Sequence, residues 1–450
     1  MSEPPPEPPN KEPPREPPKE PTEGSDPGPT GRAGRLRRIA LDFTPLRDSK
    51  DFRLLWSGLF ISELGYQFAL VAIFVQIYDL TGSPVAVGLT GLVSLVALLL
   101  GVIVSGAVID AYDRRKLLMF AQVGFAIGSA TLLAGAIAGN PPIGLIYAAA
   151  ALTAAVSAID SPTRSAMTPR MVGAGLLPSA LALNQVVWNA VGLLGPFLGA
   201  VVIKRLGLPW AYGIDLVTYG AMFIAAWLVR PMPPDRATTD GERPASGWPA
   251  IKEGFSFVRR SRLLRSTFVI DLIAMIFGLP RALFVVLATT QFHRGIEVLG
   301  ILLSAPAAGA LIGSLTGGWV KHVQRRGMVV VWAVIAWGAA IAAFGLVGSN
   351  LPLALVFLAI AGAADVISAI FRSTILQLDV PDHLRGRLSS IHILVVTGGP
   401  RLGDFEAGLV AQLTSPTISV VSGGLACVVG AAVVALLYPE LRAYRARAAS

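Results

Sequence analysis

Gly106-Ala-Val-Ile-Asp110-Ala-Tyr-Asp113-Arg114-Arg115-Lys116 is the stretch on which the fold turns. Apolar sequence flanks it closely, as residues 85–109 and 117–138, and three consecutive cations interrupt it. Asp110, Arg114, Arg115 and Lys116 cannot sit together in hydrocarbon, because each would lose its hydration. The chain must leave the membrane, turn and re-enter within a few residues. The stretch is therefore a tight loop at a membrane surface, joining two helices of the ~20 residues needed to span ~30 Å of hydrocarbon.

Composition agrees with that reading. The chain has 450 residues, 53% of them hydrophobic and only 14% charged, which is too apolar for a soluble protein. A net charge of +9 would suit nucleic acid on a soluble domain. Polytopic membrane proteins instead collect Lys and Arg on their cytoplasmic loops, so the location of the charges decides. A 20-residue window gives twelve spans, near 54–78, 85–109, 117–138, 142–160, 178–203, 209–229, 266–291, 297–319, 328–348, 351–377, 388–413 and 417–438. With the N-terminus placed inside, cytoplasmic segments carry 31 of the 37 Lys and Arg, and the opposite side carries Lys204, Arg205 and Arg294. Arg281, Arg372 and Arg401 fall within spans. That asymmetry fixes the orientation, and an even number of spans puts both termini in the cytoplasm. The expected fold is all-α and integral to the membrane, with twelve transmembrane helices in two six-helix halves.

Residues 1–43 read as a disordered, Pro-rich and then basic cytoplasmic tail. Residues 1–30 alone hold 12 of the 33 prolines, without an apolar signal-peptide core. Residues 44–229 form the N-terminal half, 230–265 a cytoplasmic linker, 266–438 the C-terminal half and 439–450 a short tail. In the linker, Ile251, Phe255 and Val258 recur at helical spacing beside a basic face, which suits an interfacial helix. An internal repeat relates the halves. Gly88 matches Gly300, Gly106 with Arg114-Arg115 matches Gly317 with Arg325-Arg326, Arg164-Ser165 matches Arg372-Ser373, and Gly195-Pro matches Gly399-Pro. All four matches occur in order at offsets of 204 to 212, as a duplicated six-helix unit requires.

Several chemistries are excluded. The single cysteine, Cys427, cannot form an internal disulfide, and its apolar neighbours suit an inert buried thiol. His293, His322, His383 and His392 show no paired metal spacing, and no ATP-binding P-loop motif exists. No metal and no cofactor are expected. An intramembrane enzyme would need a nucleophile with a base or a metal cluster, which no His or Cys grouping supplies.

Two motifs carry the mechanism. The opening stretch resembles the loop between helices 2 and 3 of the major facilitator superfamily, Gly-x-x-x-Asp-Arg-x-Gly-Arg-Arg, with Gly106, Asp110, Arg114 and Arg115 matching and Ala111 and Asp113 departing. The second copy has Lys321 in place of the acid, so a gating function of the loop rests on Asp110. In span 5, Gln185, Asn189, Gly192, Pro196 and Gly199 share one helical face, polar at one end and nearly free of side chains at the other. With Gly195, that run resembles the antiporter motif of facilitator-superfamily exporters, although Val191 and Ala200 replace its first and last Gly. A packing seam of small residues is the alternative reading.

Ionisable groups inside spans cost roughly 2.5–3.5 kcal/mol each, so they need water, a partner or a proton. Glu63 shares its face with Tyr66 and Gln67, and Asp271 takes the corresponding place in span 7. Arg281 follows Pro280; Asp365 and Arg372 share a face of span 10; Arg401 and Asp404 have the i, i+3 spacing of a static ion pair; Glu406 shares a face with His392, Gly399 and Gly403. A carboxyl in a desolvated cavity can take a proton near neutral pH and release it elsewhere, which makes Glu63, Asp271 and Glu406 the proton-coupling candidates. Arg281, Asp365, Arg372, Arg401 and Asp404 are substrate or ion-pair candidates. Glu63 has no cation nearby in sequence, whereas Asp160, Asp215 and Asp379 lie near span ends and read as interfacial.

Over residues 44–440, Asp51-Phe-Arg-Leu-Leu-Trp, Asp79-Leu-Thr-Gly-Ser-Pro, Leu384-Arg-Gly-Arg-Leu-Ser-Ser and Gly398-Gly-Pro-Arg-Leu-Gly-Asp resemble the enterobactin-exporter-like, drug:proton antiporter branch of the superfamily. The resemblance implies proton-coupled efflux of a siderophore, drug or similar amphipathic molecule by alternating access across a bacterial cell membrane. The expected partners are a small-molecule substrate, protons and the lipid bilayer, with no nucleic acid, and the chain is expected to act as a monomer. A non-transporting receptor or inactive transporter homologue is the alternative.

Overall fold

The described residues of the computed structural model are 42–233, 255–380 and 382–445; the side chains of residues 106, 107, 110, 317, 318, 321, 382–387, 389 and 390 fall outside that description. The tail before residue 42, most of the linker, including Ile251, and the last five residues lie outside it as well. The main helices are α1 Lys50–Thr81, α2 Pro84–Ala111, α3 Arg114–Ala138, α4 Ile143–Leu206, α5 Leu208–Leu228, α6 Arg262–Phe277, α7 Leu283–Thr290, α8 Ile296–Leu315, α9 Arg326–Leu346, α10 Leu351–Asp379, α11 Asp382–Leu413 and α12 Pro416–Leu437. Short helices at Thr44–Asp48 and Pro439–Ala443 precede α1 and follow α12.

Among the described residues, nine of these helices are long and apolar enough to cross a membrane. Twelve crossings result because α4 contributes two, α6 and α7 together make one, and α11 makes another. The joints depart from the expected spans at two places. Residues 161–177 were expected as a loop, yet α4 stays helical across 64 residues except at Gly173, where φ 74° and ψ 171° break it. The chain reverses there, so that both ends of α4 reach the same side. Span 7 was expected as one helix from 266 to 291 and is instead broken at residues 278–282, where Pro280 has no N–H to continue the ladder.

Loops start and stop as their residues dictate. Gly82, at φ 62°, ends α1, and the Ser83 hydroxyl accepts the Ala86 N–H at the start of α2. In the opening loop, the Asp113 carboxylate accepts the N–H of Arg115 at 2.9 Å and of Lys116 at 3.3 Å, so the acid standing where the superfamily has Gly caps α3. In the linker, residues 255–260 are helical, with Val258 buried against Leu264, Phe268, Val380, Leu388 and Ile391 while Phe255 stays exposed.

Small residues bring the helices together, as expected where lipid gives helices no hydrophobic reason to associate. A Cβ on Gly101 would stand 2.5 Å from the Ala155 carbonyl oxygen, and one on Gly309 would stand 1.8 Å from that of Ala359. These contacts join α2 to the first arm of α4, residues 143–172, and α8 to α10, which are matching pairs in the two halves. Between the halves, Gly88 and Gly91 of α2 lie against the Asp404 and Arg401 carbonyls of α11, each 2.3 Å from an added Cβ. In the same way Gly300 of α8 lies against Ala200 and Pro196 on the second arm of α4, residues 174–206. The repeat is thus present in space as well as in sequence.

All those contacts between halves sit toward one end, here called the far end, where α1 gives way to α2. Lys204 pairs with Glu297 there, and the Ser83 hydroxyl donates to the Gln412 side chain at 2.8 Å. Toward the opposite end, which holds the Asp113 loop and the ends of the described chain, Leu98, Val102, Ser105 and Ile109 of α2 line open space. The halves are sealed at the far end and part toward the other.

Candidate functional site

The parting between the halves is a cavity of about 1390 Å³. Ile109 of α2 and Ser165 of α4 line it near the Asp113 end, and Phe74, Leu132 and Phe284 line it deeper in. Most of the wall is apolar. Its charged groups are Glu63, Asp160, Arg164, Asp215, Arg281, Asp365, Arg401 and Asp404.

Two equivalent charge clusters face each other across the repeat. In the first half, Arg164 lies 3.4 Å from Glu63 on α1 and 3.0 Å from Asp160, one helical turn earlier on its own helix. Asp160 also accepts from the Gln122 amide at 2.9 Å. In the second half, Arg372 lies 2.8 Å from Asp271 on α6 and donates to the Ser368 hydroxyl at 2.7 Å. The Arg372–Asp271 approach is a charge contact, because its angle is not that of a hydrogen bond. Glu63 and Asp271, Asp160 and Ser368, and Arg164 and Arg372 are each 208 residues apart. The clusters differ in two respects. The first has two carboxylates for one guanidinium and opens on the cavity, with Arg164 and Glu63 14% and 15% exposed. The second has one carboxylate, is 2% exposed and does not line the cavity, although His392 Nδ1 approaches Asp271 to 3.6 Å.

This geometry corrects several expectations. Glu63, with no cation nearby in sequence, finds one in space, Arg164, 101 positions away. Arg164 is not a loop cation and comes off the cytoplasmic count. Asp160 and Asp215 are not interfacial, being 3% and 2% exposed, and Asp215 accepts from the Ser129 hydroxyl. Asp365 does not pair with Arg372, which Asp271 and Ser368 occupy. Arg401 and Asp404 do not pair either. Asp404 accepts the Ala282 N–H at 2.9 Å, because the break between α6 and α7 leaves backbone N–H groups unsatisfied and a carboxylate on α11 caps them. Glu406 does not line the cavity, which leaves Glu63 as the coupling candidate that does.

The antiporter-like face on α4 is divided between two neighbours. A Cβ on Gly195 would stand 2.7 Å from Gln67 and one on Gly199 3.0 Å from Phe68, so these glycines seat α4 on α1. Gly192 and Pro196 line the cavity and approach α8. Gln185 and Asn189 bond to each other at 3.3 Å and stand outside the cavity lining. In the loop motif, the Arg115 guanidinium donates to the Trp227 carbonyl at the end of α5, and the Arg114 N–H donates to Met232 at 3.1 Å. The side chain of Asp110 lies outside the described residues.

A cavity enclosed by two pseudo-symmetric six-helix halves, sealed at one end, belongs to a transporter architecture. The sequence profile of the transmembrane secretion effectors, a branch of the major facilitator superfamily, matches residues 40–449. The chain belongs to that family. It is a multi-pass membrane transporter of small molecules and not an enzyme. The enterobactin exporter EntS of Citrobacter koseri is 26% identical over 405 residues, covering 90% of this chain and 96% of that one. Among solved structures, a POT family transporter in complex with 5-aminolevulinic acid is similar with a TM-score of 0.70 at 11% identity, covering 87% of this chain and 97% of its own. A bacterial homologue of the iron transporter ferroportin, in an inward-facing state, is similar with a TM-score of 0.67 at 13% identity, covering 88% and 99%. At those identities the structural likeness is one of fold.

Proposed function

We propose that this transporter exports a small amphipathic molecule of the siderophore type from the cytoplasm, driven by protons and operating by alternating access. The observation that supports it best is the cavity, parted at one end and sealed by glycine contacts at the other, with the Glu63–Arg164–Asp160 cluster on its wall. The distribution of Lys and Arg supports a cytoplasmic location for the parted end, which makes the cavity in this reading the state that loads substrate from within. Similarity to enterobactin exporters supports a siderophore as the substrate class.

Coupling rests on Glu63. Two carboxylates around one guanidinium carry one excess negative charge when both are ionised, and a proton removes it. Protonating Glu63 frees Arg164 to pair with Asp160 alone, which changes how α1 is held to α4. Such a change can bias one arrangement of the halves over the other. Asp110, at the loop between α2 and α3, acts in this reading as the gate at the cytoplasmic end.

The test is Glu63→Gln in reconstituted vesicles with an imposed pH gradient. It keeps the shape and hydrogen bonding but does not titrate. Uphill efflux is expected to stop while substrate binding survives. Undiminished uphill efflux would remove Glu63 from the coupling mechanism.

A further inference from the structure

Within the spans, charged side chains are mostly answered by the protein itself. Glu63, Asp160 and Arg164 form one cluster, Asp271 and Arg372 another, Asp215 takes the Ser129 hydroxyl, and Asp404 takes a backbone N–H. Arg281 and Arg401 are different. Among the described residues neither side chain makes an ion pair or a hydrogen bond, and Arg401 Nη1 is buried without a partner. Both line the cavity.

One hydrogen bond puts them on the same wall. Asp404 Oδ1 accepts from the N–H of Ala282, the residue after Arg281, while Arg401 stands one helical turn before Asp404 on α11. Asp404 keeps its charge while it accepts that N–H, and it stands near both guanidiniums without an ion-pair contact to either. Asp365 lines the same cavity from α10, and among the described residues it too makes no ion pair, so the two guanidiniums share this wall with carboxylates that do not bond to them. The neighbouring wall is aromatic and apolar, with Tyr66, Phe74, Phe284, Leu279 and Trp337. An unpaired guanidinium is tolerable in a cavity open to water, but closing the halves around it would desolvate it at a cost only a counter-charge offsets. Planar guanidiniums bind oxyanions by charge-assisted, often bidentate hydrogen bonds.

We propose that Arg281 and Arg401 form an anion-binding subsite, and that the exported molecule is an amphipathic anion, with a carboxylate, phenolate, sulfonate or phosphate group joined to an aromatic or lipophilic body. That the anion is exported rests on the transport reading, whereas the site rests on the cavity alone. Neutral drugs are then poorer ligands, because they leave the guanidiniums unpaired on closure.

The probe is 2-naphthoate, compared with neutral 2-naphthamide and cationic 2-naphthylmethylammonium, each titrated as equilibrium binding to the full-length protein in phosphatidylcholine nanodiscs. The naphthoate is expected to bind roughly tenfold or more tighter than the amide, and Arg281→Gln and Arg401→Gln are each expected to lose roughly tenfold of that preference. Arg281→Lys and Arg401→Lys keep the charge and should restore much of it, which separates a lost site from a misfolded variant. Absence of saturable naphthoate binding, equal binding of naphthoate and amide, or full preference in both Gln variants would overturn the proposal. Loss of naphthoate binding when phosphatidylglycerol is added would assign the arginines to a lipid headgroup and overturn it too. An anion preference in a protein that moves no substrate defeats the transport reading and leaves the site standing, whereas efflux without that preference does the reverse.

Discussion

The far-end seal is close enough that one methyl group should open it. Gly91 of α2 lies against the backbone of α11, and a Cβ there would stand 2.3 Å from the Arg401 carbonyl oxygen and 3.1 Å from the Asp404 side chain. Real Cβ atoms do not approach below 3.0 Å, so Gly91→Ala requires α2 and α11 to separate by about 0.7 Å at that point. The obstacle is helical backbone, which cannot rotate aside like a side chain. Overpacking of this kind costs ~1–3 kcal/mol, and because the contact exists only while the far end is sealed, the cost falls on that state alone. The sealed-to-open ratio should therefore fall roughly 5- to 150-fold. Spin labels at Thr81→Cys and Thr414→Cys, both exposed at the far end, report the separation by pulsed electron resonance. Cys427 is fully buried and is replaced by Ala so that no second thiol competes. Gly220→Ala, where a Cβ meets nothing within 4 Å, is the control for helix propensity. A longer label distance is expected in Gly91→Ala and not in Gly220→Ala. A distance distribution in folded Gly91→Ala that matches the parent's would refute the reasoning.

Gly195→Leu should overpack α4 against Gln67 and arrest transport while the protein still inserts; transport at the parent's rate, measured in vesicles, would reduce the face to ordinary packing. Arg372→Met leaves Asp271 buried without its cation and should destabilise the fold by ~3–5 kcal/mol, read as a lower thermal midpoint in detergent. Adding Asp271→Leu to Arg372→Met should recover most of that loss, and a double variant no more stable than the single would count against a mainly structural role for the pair. Asp110→Asn is expected to lower efflux with the membrane level of protein unchanged, checked by transport against immunoblot. Asp113→Ala removes two bonds to the first turn of α3 and should cost ~1 kcal/mol, again by thermal midpoint.

The spans were legible because hydrocarbon imposes a length on apolar runs, and the duplication because glycines needed at helix contacts recur at fixed offsets. Gly88 and Gly300 were matched by sequence alone and pack in equivalent places. The charge clusters were half legible. Glu63 and Asp271 share an offset of 208 with Arg164 and Arg372, and that shared offset was the available sign that each acid belongs with its arginine. It was obscured because Arg164 lies among Pro162, Pro169 and Arg170, a composition typical of a loop, while the acid that lets it stay in the helix is on α1. The Arg401–Asp404 pairing failed for another reason. Spacing of i, i+3 makes a pair possible but cannot register a competing backbone donor, and the broken helix at Pro280 provides one at Ala282. Gln122, Ser129 and Asp215 carried no signal, since their meaning depends on which helices become neighbours.

At φ 74° and ψ 171°, Gly173 occupies a region open to glycine and closed in practice to residues with a Cβ. It joins the arm of α4 that carries Arg164 to the arm that carries Gly195, Gly199 and Lys204. From Gly173 to Lys204 is about 46 Å at 1.5 Å per residue, so a rotation of ~10° about the glycine sweeps the tip of that arm through about 8 Å. Lys204 reaches Glu297 at that tip. About 10° of torsion at one residue near the chain-terminal end, with α1 carried along on the arm it is seated against, is therefore enough to make or break a contact on the opposite side of the membrane, and the helical hydrogen bonds in between stay intact.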